Sequence, residues 1–236
     1  IQADDEIIIS HMEHHANIVP WQILCAQTGA KLKIIPINDA GELILEEYQR
    51  LLNPKTKLVA ICHISNTLGS INPIKQIIDS AHANSPETKV LIDGAQAVAH
   101  QKVDVQALDC DFYTFSGHKL FAPTGIGVLY GKQELLAAMP PYQGGGSMIT
   151  EVTLEKSYYR EPPYKFEAGT PDIAGAIGLG TAIDYLNQLD FNAVQKHEQQ
   201  LLDYATAGLQ TIPELHLIGT AKQKTAILNF TVNDSR

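Results

Sequence analysis

A lysine stands in this sequence where a side chain could do covalent chemistry. The apolar, aromatic-rich run 112–115 predicts a strand, and it delivers Ser116, His118 and Lys119 to a loop rich in glycine and proline. A partly desolvated lysine loses its proton readily and can form a Schiff base with a carbonyl group. The alternative interpretation is an ordinary surface lysine in a connecting loop.

A carboxylate occupies a similar place after another apolar run. Asp93 directly follows the run 90–92, and Gln96 stands three residues later. An aspartate at the end of a strand often only caps the next helix. Its catalytic interpretation is an ionised acid that pairs with a protonated ring nitrogen, while Gln96 offers an amide to a neighbouring oxygen. Together with Lys119, this acid meets the protein-side requirement of pyridoxal phosphate chemistry.

Three histidines follow the first strand-like run: His11, His14 and His15. They could suggest zinc, but Cys or His partners at ligand spacing are missing elsewhere in the sequence. A neutral imidazole at a strand end can instead stack on a flat cofactor. The other polar groups at strand ends are an amide and two phosphate donors: Asn66, Ser116 and His118. Four strand ends would thus converge on one flat, phosphorylated ligand.

Short apolar runs alternate with helical patterns and predict the fold. The predicted strands are 6–10, 33–37, 58–62, 89–92, 112–115 and 126–130. The predicted helices are 17–28, 43–52, 73–83, 105–108, 172–189 and 192–211. Nearly all-apolar strands separated by helices indicate an α/β fold with a largely parallel sheet covered on both faces. Ligands in such sheets bind beyond the carboxyl ends of the strands.

The pattern changes after Lys132 to a loop-rich region with several prolines and glycines. The helical pattern that follows has four larger residues on one face, with small residues around them that allow close packing: Ile173, Ile177, Thr181 and Tyr185. We predict a large domain over 1–212 and the start of a smaller α+β domain over 213–236. The missing initiator methionine and the strand-like runs near both ends lead us to expect a fragment of a longer fold.

Composition and charge argue against several classes of protein. The 236 residues, 44% of them hydrophobic, suffice for one sizeable core. A net charge of -9 argues against a nucleic-acid or anionic membrane surface. No apolar run approaches the length of a membrane span, and no signal peptide is apparent. Cys25, Cys62 and Cys110 lack pair spacing, which predicts the cytoplasm and a core-packing role.

The sequence resembles the class V, fold-type I pyridoxal-phosphate enzymes, and within them the group II cysteine desulfurases of the SufS/CsdA type. The resemblance spans nearly the whole chain and rests on residues 8–22, 90–97, 103–119, 123–127, 144–148 and 166–171. It implies a mostly parallel sheet flanked by helices, followed by the start of a truncated α+β C-terminal domain.

The resemblance also implies roles around the cofactor ring. Lys119 would bind pyridoxal 5'-phosphate as a Schiff base and then remove the α-proton of the substrate. His14 would stack on the pyridine ring, and Asp93 would pair with its nitrogen. Gln96 would contact the phenolic oxygen.

Further roles concern the phosphate, the substrate and a second subunit. By resemblance, Ser116 and His118 would bind the phosphate, and Asn66 would lie near the substrate carboxylate and the cofactor oxygen. Thr170 would reach the phosphate of the neighbouring subunit, so the site would be shared across a homodimer. No metal is expected.

The implied reaction converts L-cysteine to L-alanine and leaves a persulfide on a protein cysteine. The sulfur would then pass to an acceptor of the SufE/SufU type for iron–sulfur cluster assembly. The loop with the nucleophilic cysteine would lie beyond Arg236, so we expect the parent protein to be the desulfurase and this chain not to complete the persulfide step. The alternatives are a selenocysteine lyase that takes L-selenocysteine, another class V aminotransferase, a non-catalytic fragment and a histidine-cluster metal protein.

Overall fold

A computed structural model describes residues 1–232 and contains a six-stranded sheet. Its strands are β1 (Glu6–Ser10), β2 (Lys31–Ile35), β3 (Thr56–Cys62), β4 (Lys89–Asp93), β5 (Phe112–Ser116) and β6 (Gly127–Gly131). The spatial order is β2-β1-β3-β4-β5-β6. All neighbouring strands are parallel except β6, which is antiparallel to β5. The carboxyl ends of β1, β3, β4 and β5 therefore meet at one edge of the sheet.

Helices connect and flank these strands. They are α1 (Val19–Thr28), α2 (Leu45–Leu51), α3 (Ile74–Asn84), α4 (Val105–Leu108), α5 (Gln133–Ala138), α6 (Ile173–Leu186) and α7 (Phe191–Leu209). Aspartates cap three of them: the Asp104 carboxylate accepts the N–H groups of two residues of α4, and Asp172 and Asp190 do the same for one residue each of α6 and α7. These caps satisfy backbone donors that have no partner inside a helix.

The core lies on both faces of the sheet, as the all-apolar strands predict. Every residue of β1 is buried. Ile8 packs into a large cluster with α3 on one face, while Ile7 and Ile9 pack with Trp21 of α1 on the other face. Alternate residues of one strand thus supply two separate apolar layers, which holds the strand ends in fixed positions.

Two antiparallel hairpins follow the sheet. The first, β7 (Ile149–Val152) and β8 (Ser157–Tyr159), lies in the loop-rich region, and the second pairs β9 (Leu215–Ile218) with β10 (Asn229–Val232). The chain between β9 and β10 contacts the loop after β3: Thr225 N–H donates to Gly69 O at 2.9 Å. The boundary at 212/213 stays a prediction, and residues 233–236 lie outside the described part.

The predicted strands and helices are all present; β1 and α4 have the predicted ends, and the others are shifted. β2 was predicted at 33–37 but begins at Lys31, because Gly29 ends α1 in the left-handed conformation (φ 80°) and β2 pairs at once with β1. The start of the helix predicted at 17–28 is a separate 3₁₀ turn, His15–Asn17. Among the described residues, no helix has the length and apolar character to cross a membrane.

Candidate functional site

A cavity of about 460 Å³ opens at the carboxyl edge of the sheet. Its walls come from the ends of β4 and β5, from the turn after β5, and from the segment that joins β1 to α1. The residues that line it are His14, Ala16, Asn17, Pro20, Trp21, Leu91, Asp93, Ala95, Thr114, Phe115, Ser116, His118 and Lys119. Five residues selected from the sequence are therefore brought together in one cavity: His14, Asp93, Ser116, His118 and Lys119.

The turn that carries Lys119 is fixed by close backbone packing. β5 ends at Ser116, and a 3₁₀ turn runs over Gly117–Leu120. Gly117 N–H donates to Ile126 O at 2.8 Å, and a Cβ at this glycine would lie 2.6 Å from the Ile126 side chain. Only glycine fits here without displacing the following loop. The turn consequently places the half-buried Lys119 against the cavity rather than in a free surface loop.

Asp93 is the last residue of β4, and both of its predicted roles are compatible with its position. One carboxylate oxygen accepts Ala95 N–H at 2.9 Å, which caps the following turn. The backbone carbonyl of Asp93 accepts His63 N–H at 2.8 Å. The side chain is half-buried and also lines the cavity, where it supplies a negative charge.

His14 stands at the start of the 3₁₀ turn that follows β1. Its Nδ1 accepts Ala16 N–H at 3.1 Å, so the ring nitrogen that carries a proton in the neutral form is Nε2. His14 O also accepts Asn17 N–H at 2.8 Å. The first bond orients the imidazole at the cavity wall, and the second holds the backbone turn that carries it.

Some expected site residues are placed elsewhere. Asn66 is half-buried in the turn after β3, Gln96 is half-buried after β4, and Thr170 is exposed before α6. Among residues 1–232, the residues that line the cavity include none of these three. Their roles stay predictions.

Three lining residues with hydrogen-bonding side chains were not selected from the sequence as site residues: Asn17, Trp21 and Thr114. Trp21 follows Asn17 by four residues, a spacing that brings side chains onto the same face of a helix, and this was the available signal. Thr114 sits inside a strand and pairs in register with Asp93. Whether Thr114 faces the cavity depends on which face of β5 the helices leave uncovered. The sequence of a single strand does not show this.

The cysteines do not reach the cavity. Cys62 and Cys110 are buried, and burial raises the pKa of Cys62 well above the usual thiol value and that of Cys110 to about 11. Cys25 is half-buried in α1, and burial raises its pKa as well. Cys62 and Cys110 belong to the main apolar cluster and Cys25 packs against the cluster on the other face of the sheet, which confirms the packing role predicted for all three. In the described part of the chain, no three His, Cys, Asp or Glu side chains are placed to hold a metal ion.

A mostly parallel sheet with a lysine and a carboxylate at neighbouring strand ends defines the class of fold-type I pyridoxal-phosphate-dependent enzymes. Within this class, the chain belongs to the aminotransferase class-V family, whose sequence model matches residues 1–236. The resemblance predicted from the sequence is confirmed for both family and fold.

Similar proteins include several cysteine desulfurases. The chain is 54% identical over 232 residues to a cysteine desulfurase of Synechococcus elongatus, with 98% of this chain and 37% of that protein covered. It is 55% identical over 227 residues to a cysteine desulfurase of Dickeya dadantii, with coverages of 96% and 55%. The chain thus spans about half, or less, of the length of these relatives.

Two solved structures have the same fold as this chain. The cysteine desulfurase CsdA from Escherichia coli superimposes with a TM-score of 0.93 at 41% identity, over 98% of this chain and 57% of that chain. A mutant of the protein C-DES, solved with glycine linked to its pyridoxal-phosphate cofactor, superimposes with a TM-score of 0.86 at 25% identity, over 100% of this chain and 63% of that chain.

Proposed function

We propose that this chain forms the cofactor-binding part of a cysteine desulfurase, which takes sulfur from L-cysteine and leaves L-alanine. The observation that carries the proposal is the shared cavity of Lys119, Asp93 and His14 at the carboxyl edge of the sheet. The names of the similar proteins support cysteine over selenocysteine as the substrate.

The cavity fits pyridoxal 5'-phosphate in chemistry and size. Its volume of about 460 Å³ lies within the ordinary range for small-ligand pockets. Although the chain carries a net charge of -9, the lining includes the Ser116 hydroxyl and the His118 ring, which suit a phosphate. Asp93 offers a carboxylate to a protonated ring nitrogen, so acid and phosphate donors are both present.

The residues of the chain then have distinct tasks. Lys119 would hold the cofactor through its Nζ and would carry the proton of the substrate α-carbon. Asp93 would accept a hydrogen bond from the cofactor nitrogen, and the His14 imidazole, oriented by the Ala16 N–H, would lie beside the cofactor. When bound, pyridoxal phosphate supplies an electron sink for the α-carbon. The thiolate that accepts sulfur comes from a cysteine other than Cys25, Cys62 and Cys110, since none of these lines the cavity.

A cofactor titration tests this proposal with the full-length protein. We expect added pyridoxal phosphate to give a visible absorption band that borohydride reduction makes permanent. Lys119→Ala should lose the borohydride-trapped product, whereas Lys196→Ala, on the exposed side of α7, should behave like the wild type. Alanine release from L-cysteine should fall about 10³-fold or more in Lys119→Ala. It should not fall in Lys196→Ala. Trapping that persists in Lys119→Ala would refute the assignment.

The finer proposals concern partners and location. We place Thr170 at the cofactor phosphate of a second subunit in a homodimer, and we name an acceptor protein of the SufE/SufU type as the destination of the sulfur. The apolar residues that α6 exposes, among them Ile173 and Ile177, support a second subunit. The three free cysteines support a reducing cytoplasm.

A further inference from the structure

A chain of hydrogen-bonded side chains runs beneath the cavity from the end of β1 to α1. Ser10 Oγ donates to Glu13 Oε1 at 2.5 Å, and Asn17 Nδ2 donates to Glu13 Oε2 at 2.7 Å. Trp21 Nε1 then donates to Asn17 Oδ1 at 3.0 Å. Asn17 and Trp21 both line the cavity, whereas Glu13 lies behind it.

Glu13 is a buried carboxylate with one hydrogen-bond donor at each oxygen. Its residue is 7% exposed, and the donors are Ser10 and Asn17. Burial raises the pKa of Glu13 and the charge of Asp93 acts in the same direction, while the hydrogen bonds from Ser10 and Asn17 act in the opposite direction. Burying a carboxylate costs free energy that an apolar side chain at the same place would avoid, so packing alone does not explain this residue.

The network has a direction that Glu13 imposes. An ionised carboxylate only accepts hydrogen bonds, so the Asn17 amide must present Nδ2 to Glu13 and Oδ1 to Trp21. In the same turn, the Ala16 N–H donates to Nδ1 of the His14 ring, and the Asn17 N–H donates to the backbone carbonyl of His14. Asn17 therefore links Glu13 both to Trp21, through its side chain, and to the turn that carries His14, through its backbone.

We propose that Glu13 is a positioning residue for the cofactor: through Asn17 it sets the orientation of the Trp21 indole and holds the turn that places His14 at the cavity wall. This inference rests on the proposed binding of pyridoxal phosphate. Glu13 itself touches neither cofactor nor substrate, and its effect on binding passes through Asn17 and the His14 turn.

The test exchanges the two partners of the central hydrogen bond. Glu13→Gln leaves one acceptor oxygen for two donors, Ser10 Oγ and Asn17 Nδ2, so one of the two has to change its hydrogen bond, and turning Asn17 over would set its donor against Trp21 Nε1. Asn17→Asp alone sets two carboxylates against each other. The double variant Glu13→Gln with Asn17→Asp restores a complementary chain, because the amide introduced at position 13 and the Trp21 indole would both donate to the new carboxylate.

The readouts are the dissociation constant of pyridoxal phosphate, from titration of the full-length apoprotein, and the visible circular dichroism of the bound cofactor. We expect each single variant to weaken binding about tenfold and to reduce the visible dichroism. The double variant should return binding to within about threefold of the wild type and recover the dichroism. Thermal unfolding of the apoproteins, measured in parallel, separates lost orientation from lost folding.

Several outcomes would overturn the inference. Wild-type affinity and dichroism in Glu13→Gln would show that the carboxylate does not position the site. A double variant as weak as the single variants, or losses that simply follow apoprotein stability, would reduce Glu13 to a structural role. If a single variant does not fold, the double variant still tests the inference, because recovery of cofactor binding and dichroism is expected in the double variant alone. A wild type that binds no cofactor would instead overturn the proposed function, and this inference with it.

Discussion

The residue directly after Asp93 has no room for a side chain. A Cβ on Gly94 would overlap the ring of Tyr113, and that ring is held in turn because its hydroxyl bonds His63 Nδ1 at 3.0 Å. We expect Gly94→Ala to lower the free energy of unfolding by roughly 2–3 kcal/mol, because the buried ring has to move. Urea denaturation of the apoprotein measures this loss.

Gly144 offers a matched control for that substitution. No heavy atom lies within 4 Å of a Cβ built on Gly144. Gly144→Ala should therefore change the free energy of unfolding by less than about 0.5 kcal/mol. Equal effects of the two substitutions would contradict the close packing behind Asp93.

Single residues also show what the sequence could reveal about the site. Lys119 and Asp93 were predictable because each follows an apolar run, and parallel strands bring their carboxyl ends to one edge. Glu13 was not, because a carboxylate beside three histidines looks like an ordinary polar loop until its burial is known. Burial depends on how distant parts of the chain pack together, which the local sequence around Glu13 does not show.

At the scale of elements, the sequence predicted correctly which runs form strands. It predicted the first residues of the strands less accurately. β2 is an edge strand with one neighbour, and its lysines are partly or fully exposed, so its own pattern does not determine its register. Pairing with β1 determines it. The antiparallel direction of β6 follows from its short connection to β5, because a parallel crossover needs a dozen or more residues.

His63 joins two elements and makes the fold sensitive to acid. Its ring contacts Tyr113 of β5, and its Nε2 accepts a hydrogen bond from Gln101 Nε2 at 2.7 Å. Burial lowers its pKa from 6.5 to about 4, so the unfolded chain binds a proton that the folded chain rejects between those values. Stability is therefore complete above about pH 6.5 and falls as the pH decreases toward 4, by about 2 kcal/mol at pH 5 from this group.

The measurement compares unfolding free energies at pH 7 and pH 5 for the wild type and for His63→Gln. Glutamine can keep a hydrogen bond to Tyr113 but does not titrate. We expect the variant to start less stable at pH 7 and to lose about 2 kcal/mol less than the wild type on going to pH 5. Parallel losses in the two proteins would show that His63 is not the responsible group.

At the scale of the whole molecule, the chain leaves apolar helix surface uncovered. α6 packs against the rest of the molecule through Leu179 and Leu186. The face with the four larger residues, which was predicted to pack closely, points away from the sheet instead. Ile177 on that face is 67% exposed. The sequence could identify the helix and its small residues, but a face that packs against another molecule has the same pattern as one that packs internally.

The last prediction concerns the proposed homodimer. Ile177→Lys places a charge in the exposed apolar face of α6, and burying an unpaired charge between subunits is strongly unfavourable. We expect light scattering of the full-length protein to change from dimer to monomer, and cofactor affinity to fall because Thr170 of the second subunit no longer reaches the phosphate. Tyr204→Lys on α7, at a position 82% exposed, should leave the dimer intact. A dimer that persists in Ile177→Lys would place the interface elsewhere, whereas a monomer with unchanged cofactor affinity would refute the role of Thr170.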